Sequence, residues 1–247
     1  MEQVNKPIRN KRRTNAQLDS DVMRELEGLV REYGFGNINI TTLIKNAGME
    51  ANVFYRRYGT MDQLYDTLAK EYDFWINNTI DLSSLNTLGD KKYFSETLKK
   101  LYKDLSNNDI MQKLLLWELT TDNQTTRRTS QIRDMMNLHL ITYYEKMFEP
   151  TKINIKGIIA ILIGGLYYLI LHKERSEVCT IDFNTLVGEK SFHEAVDTIV
   201  DLIFGKLEKY NEKKCIAERM IKEGISEDIM CKLLDMNKSE LKKMLSE

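Results

Sequence analysis

The chain contains 247 residues, which is long enough for one or two domains that each bury a hydrophobic core. Only two prolines and twelve glycines occur beside 30% charged residues, and this composition favours long helices over many short strands. The net charge of -1 excludes a strongly basic or acidic protein, but residues 1–60 contain ten Lys or Arg and only seven Asp or Glu.

Potential metal ligands and nucleophiles are scattered along the chain. The three cysteines are widely spaced and indicate neither a disulfide framework nor a metal site, and the three histidines are equally dispersed. No nucleophile–base pair, phosphate loop or paired carboxylate occurs at an informative spacing, so we expect no catalytic residue, no metal and no cofactor. The chain starts without a secretory signal, and its longest apolar run, residues 158–171, is too short to span a bilayer. These features predict a soluble, cytoplasmic protein that does not enter a membrane.

A basic segment precedes the first predicted helix. Residues 1–13 contain five basic residues and one acid, which suits an arm that contacts DNA phosphates, although a solvated tail has the same composition. Apolar residues then recur at helical spacing and predict a helix over residues 15–33, with Leu18, Val22, Leu26, Leu29 and Tyr33 on its buried side.

Residues 40–58 predict two short helices joined by a tight turn. Asn39 can accept a hydrogen bond from the free amides of the first helix, and Gly48 can adopt the positive φ that a sharp exit requires. The second helix is expected over residues 50–57. Such a pair forms a helix-turn-helix unit, whose second helix can enter the major groove of DNA. An ordinary corner between two packed helices has the same pattern, so spacing alone leaves both readings open.

Further helices are predicted along the rest of the chain. A long helix over residues 61–82 is the natural connection between two domains. Later helices are expected over residues 93–106, 109–120, 124–148, 154–173 and 188–214, followed by three short helices in the tail. The predicted fold is therefore all-α. It divides into an N-terminal arm (1–13), a three-helix helix-turn-helix domain (14–60), a larger helical domain (61–214) and a short helical C-terminal extension (215–247).

With these elements in place, the N-terminal part resembles the TetR family of bacterial transcriptional regulators. The resemblance rests on the aromatic-glycine sequence at residues 33–36 and on a second helix that ends in Ala47-Gly48. It also rests on Val53-Phe54-Tyr55-Arg56-Arg57-Tyr58, which looks like the Leu-Tyr-x-x-Phe signature of the family. The matching region is residues 14–68, and the remainder is similar only in architecture.

The resemblance implies a homodimer in which each subunit places its third helix in the major groove of double-stranded DNA. Asn can pair with adenine, Ala and Val methyl groups can contact thymine, and Arg can bind phosphate. Met61 stands where the family often has a lysine, and Glu50 places an acid near the groove, where it can interact with a helix N-terminus. The positions that match DNA-contacting positions of the family are Asn39, Thr41, Ala51, Asn52, Val53, Tyr55, Arg56 and Arg57.

The resemblance also implies a dimer interface in the larger domain. Small residues on the helix over 154–173 allow another backbone to approach closely, so this helix and the one over 188–214 are expected to form a four-helix bundle between subunits. Burial inside one subunit is the alternative. The expected interface residues are Gly157, Ala160, Gly164, Tyr168, Phe192, Val196, Ile199 and Ile203.

Members of this family commonly bind a small-molecule effector between the core helices. Aromatic side chains with polar tips suit such a pocket, although they suit an ordinary core equally well. An effector would bind preferentially to a form whose helix-turn-helix spacing does not fit the operator. The expected pocket residues are Trp75, Tyr102, Trp117, His139, Tyr143 and Tyr167.

The function predicted from these features is a repressor that binds a palindromic operator as a homodimer and is released by a small-molecule effector. Residues 213–247 contain eight bases and seven acids, so the extension is interpreted as a packing or partner-binding appendage and not as a second DNA reader. One alternative is a non-catalytic helical adaptor that uses the helix-turn-helix for packing or protein binding. The other, less favoured, is an all-helical enzyme.

Overall fold

The structure, a computed structural model, describes residues 13–73 and 89–246. In these ranges no strand occurs, and an isolated bridge joins Val178 to Ile181. The all-α prediction is confirmed. The described helices are α1 (Asn15–Tyr33), α2 (Ile40–Asn46), α3 (Ala51–Tyr58), α4 (Met61–Asp73), α5 (Asp90–Ser106), α6 (Asp109–Thr120), α7 (Gln124–Phe148), α8 (Ile155–His172), α9 (Leu186–Lys222), α10 (Glu227–Leu234) and α11 (Lys238–Ser246), with short 3-10 helices at Phe35–Asn37 and Glu149–Thr151.

The described helices divide into two compact units, each discontinuous in sequence. The first unit consists of residues 13–73 and 108–132, and the second unit consists of residues 89–107 and 133–246. Helix α6 and the start of α7 therefore belong with the N-terminal helices. The division does not follow the boundary at residue 60 that the sequence suggests.

The first unit is held together by the inward faces of its short helices. Helix α1 begins with a capping box, in which Thr14 and Gln17 each accept a hydrogen bond from the other's backbone amide. Of the five apolar positions that helical spacing predicts to be buried on α1, Val22, Leu26 and Leu29 are buried. Leu18 is half-buried, and the prediction is wrong for Tyr33, which is exposed at the last position of the helix. The side chains that meet the buried positions of α1 from α2, α3 and α4 are fully buried and include Leu43, Phe54, Leu64 and Leu68.

An aromatic cluster joins α6 to the N-terminal helices of the first unit. The ring of Trp117 stacks on Phe35 at a centroid distance of 4.9 Å and meets Tyr65 edge to face at 5.3 Å. Tyr65 donates its hydroxyl to the backbone carbonyl of Phe35 at 2.8 Å, so the polar tip of this buried ring is satisfied. Burial raises the pKa of Tyr65 to about 12. This cluster explains why α6 belongs to the first unit.

Aromatic residues also dominate the core of the second unit. Tyr102 of α5 stacks on Phe192 of α9 with ring centroids 4.2 Å apart. Phe94 meets Tyr144 edge to face at 4.9 Å, and both rings also contact Phe204 of α9. Helices α5, α7 and α9 therefore share one aromatic core.

Helix α9 continues for 37 residues, eight residues beyond the predicted end at residue 214. The first of the three expected tail helices is instead the last part of α9, because residues 215–222 contain no glycine or proline that would interrupt it. The helix stops before Gly224, whose φ of +72° turns the chain. Helices α10 and α11 then fold back, and they bury Met230, Leu234 and Leu241 together with Ala217.

Helix α8 is strongly apolar, yet the second unit covers little of it. Ile155, Leu166 and Ile170 are buried, whereas Ile161 is 75% exposed and Tyr168 is 56% exposed. Counted over all 18 residues, α8 is long and apolar enough to cross a membrane, and 22% of that stretch is buried. The expectation that this run is too short to span is corrected, because the helix extends beyond residues 158–171. Exposed apolar faces of this kind are typical of surfaces that bind another protein or a membrane.

We expect Trp117→Ala to lower the free energy of unfolding by about 3–5 kcal/mol, because it removes the stacked ring and leaves a cavity. Urea unfolding followed by circular dichroism measures the change. The matched control is Leu119→Ala on the same helix, whose side chain is 77% exposed, and it should shift stability by less than about 0.5 kcal/mol. Equally small effects of both substitutions would contradict the packing role of Trp117.

Candidate nucleic-acid interface

Helices α2 and α3 form the helix-turn-helix predicted from residues 40–58. Asn39 caps α2 by accepting a hydrogen bond from the backbone amide of Thr41 at 2.8 Å. Gly48 adopts a φ of +57° in the turn, a conformation that strains any residue with a side chain. Leu43 on one side of the turn and Met49 within it are buried, so the turn is anchored to the core of the first unit.

The side chain of Arg13 stabilises this turn by hydrogen bonds to its backbone carbonyls. Its guanidinium donates to the carbonyl of Ala47 at 2.7 Å and to the carbonyl of Gly48, and it pairs with Asp21 of α1 at 3.0 Å. A cation at the C-terminal carbonyls of a helix also interacts favourably with the helix dipole. Arg13 therefore stabilises the turn between α2 and α3, whereas its position in the sequence suggests that it belongs to a free arm. Residues 1–12 of that arm lie outside the described ranges.

Helix α3 has one buried face and one exposed face. Phe54 is fully buried, and its ring contacts Tyr58 at a centroid distance of 5.4 Å. Val53 is half-buried. Positions i, i+1, i+4 and i+5 share one side of a helix. On this helix that side is exposed, and it carries Ala51, Asn52, Tyr55 and Arg56.

The last turn of α3 is attached to α1 through Asp19. The Arg57 guanidinium donates two hydrogen bonds to the Asp19 carboxylate, and the Tyr58 hydroxyl donates a third. Arg57 also donates to the backbone carbonyl of Asn15 at 3.1 Å. The hydrogen bonds from Arg57 hold the pKa of Asp19 below its ordinary value, and burial raises the pKa of Tyr58 to about 12. Arg57 is thus an internal anchor between α3 and α1.

A sharp bend leads from α3 into α4. Gly59 adopts a φ of +70°, and a Cβ atom there would lie 1.9 Å from the Gln63 side-chain oxygen. Thr60 and Gln63 exchange hydrogen bonds between side chain and backbone, both at 3.2 Å, and so cap the start of α4. Met61 takes the first helical position. The bend therefore depends on a glycine followed by a capping pair.

Most residues predicted to contact DNA are accessible. Val53 and Arg57 are half-buried, and the exposed set comprises Asn39, Thr41, Ala51, Asn52, Tyr55 and Arg56. Sequence reasoning missed Lys45, which is exposed in the last turn of α2. Glu50 is exposed at the N-cap of α3, and its side chain makes no capping hydrogen bond. The accessible surface thus carries amide, hydroxyl, phenol and cationic groups beside one carboxylate.

The residues predicted for a dimer interface fall into two groups. On α8, Ala160, Gly164 and Tyr168 are exposed, while Gly157 is half-buried beside its own capping residue Asn154. On α9, Ile199 is half-buried, but three of the expected residues lie in the core of the second unit, where no second subunit could cover them: Phe192, Val196 and Ile203. Helical spacing identifies an apolar face but does not reveal whether the same subunit already buries it.

The aromatic residues predicted for an effector pocket do not form one group. Trp117 belongs to the first unit, His139 is exposed, and Trp75 lies outside the described residues. Tyr102 is occupied by its stack on Phe192, with its hydroxyl 3.3 Å from the carbonyl of Phe183. Tyr143 donates its hydroxyl to Asp90.

Tyr167 does line an apolar cavity inside the second unit. The cavity has a volume of about 70 Å³ and lies between α5, α7 and α8, with Phe94, Leu98, Ile141 and Tyr144 among its other walls. Binding sites for organic ligands usually enclose roughly 300–1,000 Å³. In this conformation the cavity is therefore too small for an organic effector.

Reactive side chains do not converge in the part of the chain that the structure describes. No group of three or more His, Cys, Asp or Glu residues there could hold a metal ion. Cys179, Cys215 and Cys231 are all free thiols.

Comparison with known proteins identifies a similar fold. No protein-family model matches the chain, and no curated protein matches it. Among solved structures, Salmonella enterica GusR is similar with a TM-score of 0.55 and 10% sequence identity, over 78% of this chain and 98% of that chain. At this identity the likeness concerns the fold alone, and the fold shared with GusR is all-helical over the described residues.

Asp19→Asn tests the anchor between α3 and α1. The depressed pKa of Asp19 in the folded protein means that its charge stabilises the fold above the unfolded pKa of 3.8, and that this stabilisation is lost as the pH falls through the folded pKa. We expect the variant to be less stable than the parent at neutral pH and the difference to shrink at acid pH. Urea unfolding at a series of pH values measures this convergence.

The control for this experiment is Asp134→Asn, an exposed aspartate in the interior of α7. Its stability should follow that of the parent across the acid range. A constant gap between Asp19→Asn and the parent at every pH would contradict the proposed role of the Asp19 charge.

Proposed function

We propose that this protein is a DNA-binding transcriptional regulator that acts as a homodimeric repressor on a palindromic operator. The observation that carries the proposal is the two-sided character of α3. Phe54 is buried beneath it, while Asn52, Tyr55 and Arg56 are exposed together on the opposite side. This is the arrangement that a recognition helix in a major groove requires.

The exposed groups of α3 match the chemistry of DNA bases and phosphates. Asn52 can form paired hydrogen bonds with adenine, and the Ala51 methyl group can contact the methyl group of thymine. Tyr55 and Arg56 can bind phosphate oxygens, as can Lys45 from α2. Asn39 and Thr41 would approach the DNA from the start of α2. In this proposal, Ala51 and Asn52 of α3 contact the bases, while Tyr55, Arg56 and Lys45 contact the phosphates of the DNA.

The internal anchors of α3 prepare it for binding. Asp19 holds Arg57 and Tyr58, and Arg13 holds the turn before α3, so the helix is oriented without DNA. A preorganised helix loses less conformational freedom on binding than a mobile one. Arg57 therefore supports the interface indirectly, by attaching α3 to α1. Val53 can contact DNA only through the accessible part of its half-buried side chain.

The exposed face of α8 favours a second copy of the chain as its partner. Ala160, Ile161, Gly164 and Tyr168 combine apolar surface with small residues that permit close backbone contact. On α9, Leu202 is 69% exposed and Ile199 is half-buried, which offers a second apolar strip. A symmetric four-helix interface from these faces would place two copies of α3 on two half-sites of one operator.

Release from the operator by a small effector is the regulatory part of the proposal. The apolar cavity beside Tyr167 is the starting point for such a ligand, although it must enlarge severalfold to hold one. A ligand that selects the enlarged form would shift the protein away from the conformation that fits the operator. In the proposed dimer the partner subunit covers the apolar face of α8, so this helix needs no membrane to cover it. We therefore propose that the protein is cytoplasmic and does not contact a membrane.

We expect Tyr55→Ala to weaken binding to the operator at least about tenfold, equivalent to about 1.4 kcal/mol, because it removes an exposed phosphate-binding group. Capture of genomic fragments by the parent protein, followed by sequencing, supplies the operator. Fluorescence anisotropy at several salt concentrations then measures the affinity of each variant.

Tyr33→Ala is the matched control for this experiment. Tyr33 belongs to the same unit and is 50% exposed, close to the 53% of Tyr55, but it lies outside the proposed interface. Its affinity for the operator should equal that of the parent. If Tyr55→Ala folds, dimerises and binds as tightly as the parent, the assignment of the interface to α3 fails.

Ile161→Glu tests the dimer. A carboxylate on this exposed apolar face would be buried without a partner in the proposed bundle, so we expect a mostly monomeric protein at concentrations where the parent is dimeric. Sedimentation equilibrium measures the distribution. Leu233→Glu, at a site 64% exposed on α10, should leave the parent's association unchanged. Dimers of unchanged affinity in Ile161→Glu would exclude α8 as the interface.

A further inference from the structure

A second and larger cavity in the second unit lies between α9 and the C-terminal extension. Its volume is about 400 Å³, within the range of roughly 300–1,000 Å³ that is typical of small-molecule sites. Its walls come from the 3-10 helix after α7, from α9, from the turn between α10 and α11, and from α11 itself. We call it the lysine cleft.

The lysine cleft concentrates positive charge in a chain whose net charge is -1. Two acidic residues, Asp235 and Glu240, face a larger set of cations. The five lysines of the cleft are Lys152, Lys206, Lys209, Lys213 and Lys243. Such an excess of one charge attracts an anion.

Part of this charge is already used within the protein. Lys152 pairs with Glu240 at 3.6 Å, and Lys213 donates to the carbonyl of Leu234 at 2.7 Å. Glu240 also accepts a hydrogen bond from the backbone amide of Asn237 at 3.1 Å. These contacts hold the α10–α11 turn against α9 and fix the shape of the cleft.

Two of the lysines have no such role. Lys206 and Lys209 are exposed, and among the described residues neither has a carboxylate or hydrogen-bonding partner. They lie one turn apart on the face of α9 that also carries Lys213, and the Cα atoms of the three lysines span about 10 Å along the helix axis. Lysine amines are compact charges that bind phosphate groups without requiring a fixed orientation.

The remaining walls of the cleft carry apolar side chains beside the hydroxyl groups of Thr151 and Tyr210. Met236 and Met244 come from the extension, and Pro150 comes from the turn after α7. Methionine side chains adapt to irregular ligand shapes. A ligand that fits this cleft therefore has an anionic end and an apolar or aromatic body.

Two helix ends shape the cleft. Lys152 and Asp235 both line it, and both adopt left-handed φ values, of 60° and 51°. Lys152 ends the 3-10 helix Glu149–Thr151 and Asp235 ends α10, and helices commonly end in this conformation. Their positions in two separate turns indicate that the surrounding packing maintains the shape of the cleft.

We propose that the lysine cleft binds an organic phosphate, with its phosphate groups at Lys206 and Lys209 and its apolar part against Met236 and Met244. Since α9 supplies the lysines and the extension supplies the methionines, a bound ligand holds the extension in place. The site is distinct from α3 and from the apolar cavity beside Tyr167, and it does not depend on DNA binding.

The experiment uses the full-length protein with ADP as the probe and adenosine as its uncharged counterpart. Isothermal titration at constant ionic strength should give saturable binding of ADP and at least tenfold weaker binding of adenosine. The double variant Lys206→Gln/Lys209→Gln should weaken ADP binding at least tenfold. The matched control Lys222→Gln/Lys232→Gln, with two exposed lysines outside the cleft, should bind ADP as the parent does.

Several results would overturn the proposal: no saturable ADP binding, equal affinity for adenosine, or equal losses in the two double variants. A loss of DNA affinity in Lys206→Gln/Lys209→Gln with unchanged ADP binding would overturn it too, because it would assign these lysines to the DNA backbone. Sedimentation of each variant verifies that its association state is unchanged. None of these outcomes bears on the test at Tyr55, so the two proposals can fail separately.

Discussion

The orientation of α3 depends on the contacts of its inner side, the buried ring of Phe54 and the carboxylate of Asp19. A helix of eight residues is marginally stable by itself in water, so its conformation and direction must come from tertiary contacts. Phe54 supplies burial, and Asp19 receives three hydrogen bonds from the adjoining turn. Because these groups face the core, the exposed side of α3 carries the remaining residues, Ala51, Asn52, Tyr55 and Arg56. The same packing that makes α3 fold therefore determines which side chains can reach another molecule.

The core beneath α3 is completed by residues distant in sequence. A domain of four helices is small, and small domains generally bury a smaller fraction of their surface than large ones. Trp117 of α6 adds a large ring to Phe35 and Tyr65, and Arg128 of α7 pairs with Asp66 of α4. The helix-turn-helix is thus part of a unit that includes the 108–132 segment. Its stability is coupled to helices that a motif-based boundary would assign elsewhere.

The sequence predicted those features of the structure that depend on residues close together in the chain. The cap at Asn39 and the positive φ of Gly48 depend on neighbouring residues, and both agree with the structure. The apolar spacing of α1 correctly identifies its buried centre but not Tyr33 at its end, which is exposed. Arg13 and Arg57 could be recognised as cations, but their partners lie 34 and 38 residues away, and spacing does not reveal such pairs. Phe192 illustrates the same limit, since an apolar helix face looks identical whether its own subunit or a second one covers it.

Helix α8 has one apolar side that its own subunit covers and another apolar side that is exposed. A helix that is apolar on every side must be buried on every side. Ile159, Ile163 and Tyr167 line the cavity of the second unit, whereas Ala160 and Ile161 face away from it. One subunit covers the first side, and in the proposed dimer the second subunit covers the other. A ligand that enlarged the cavity would displace α8 toward its partner, and this displacement would change the geometry of the dimer. In the proposed dimer, the exposed apolar face and the small internal cavity would therefore be coupled, because the same helix forms both.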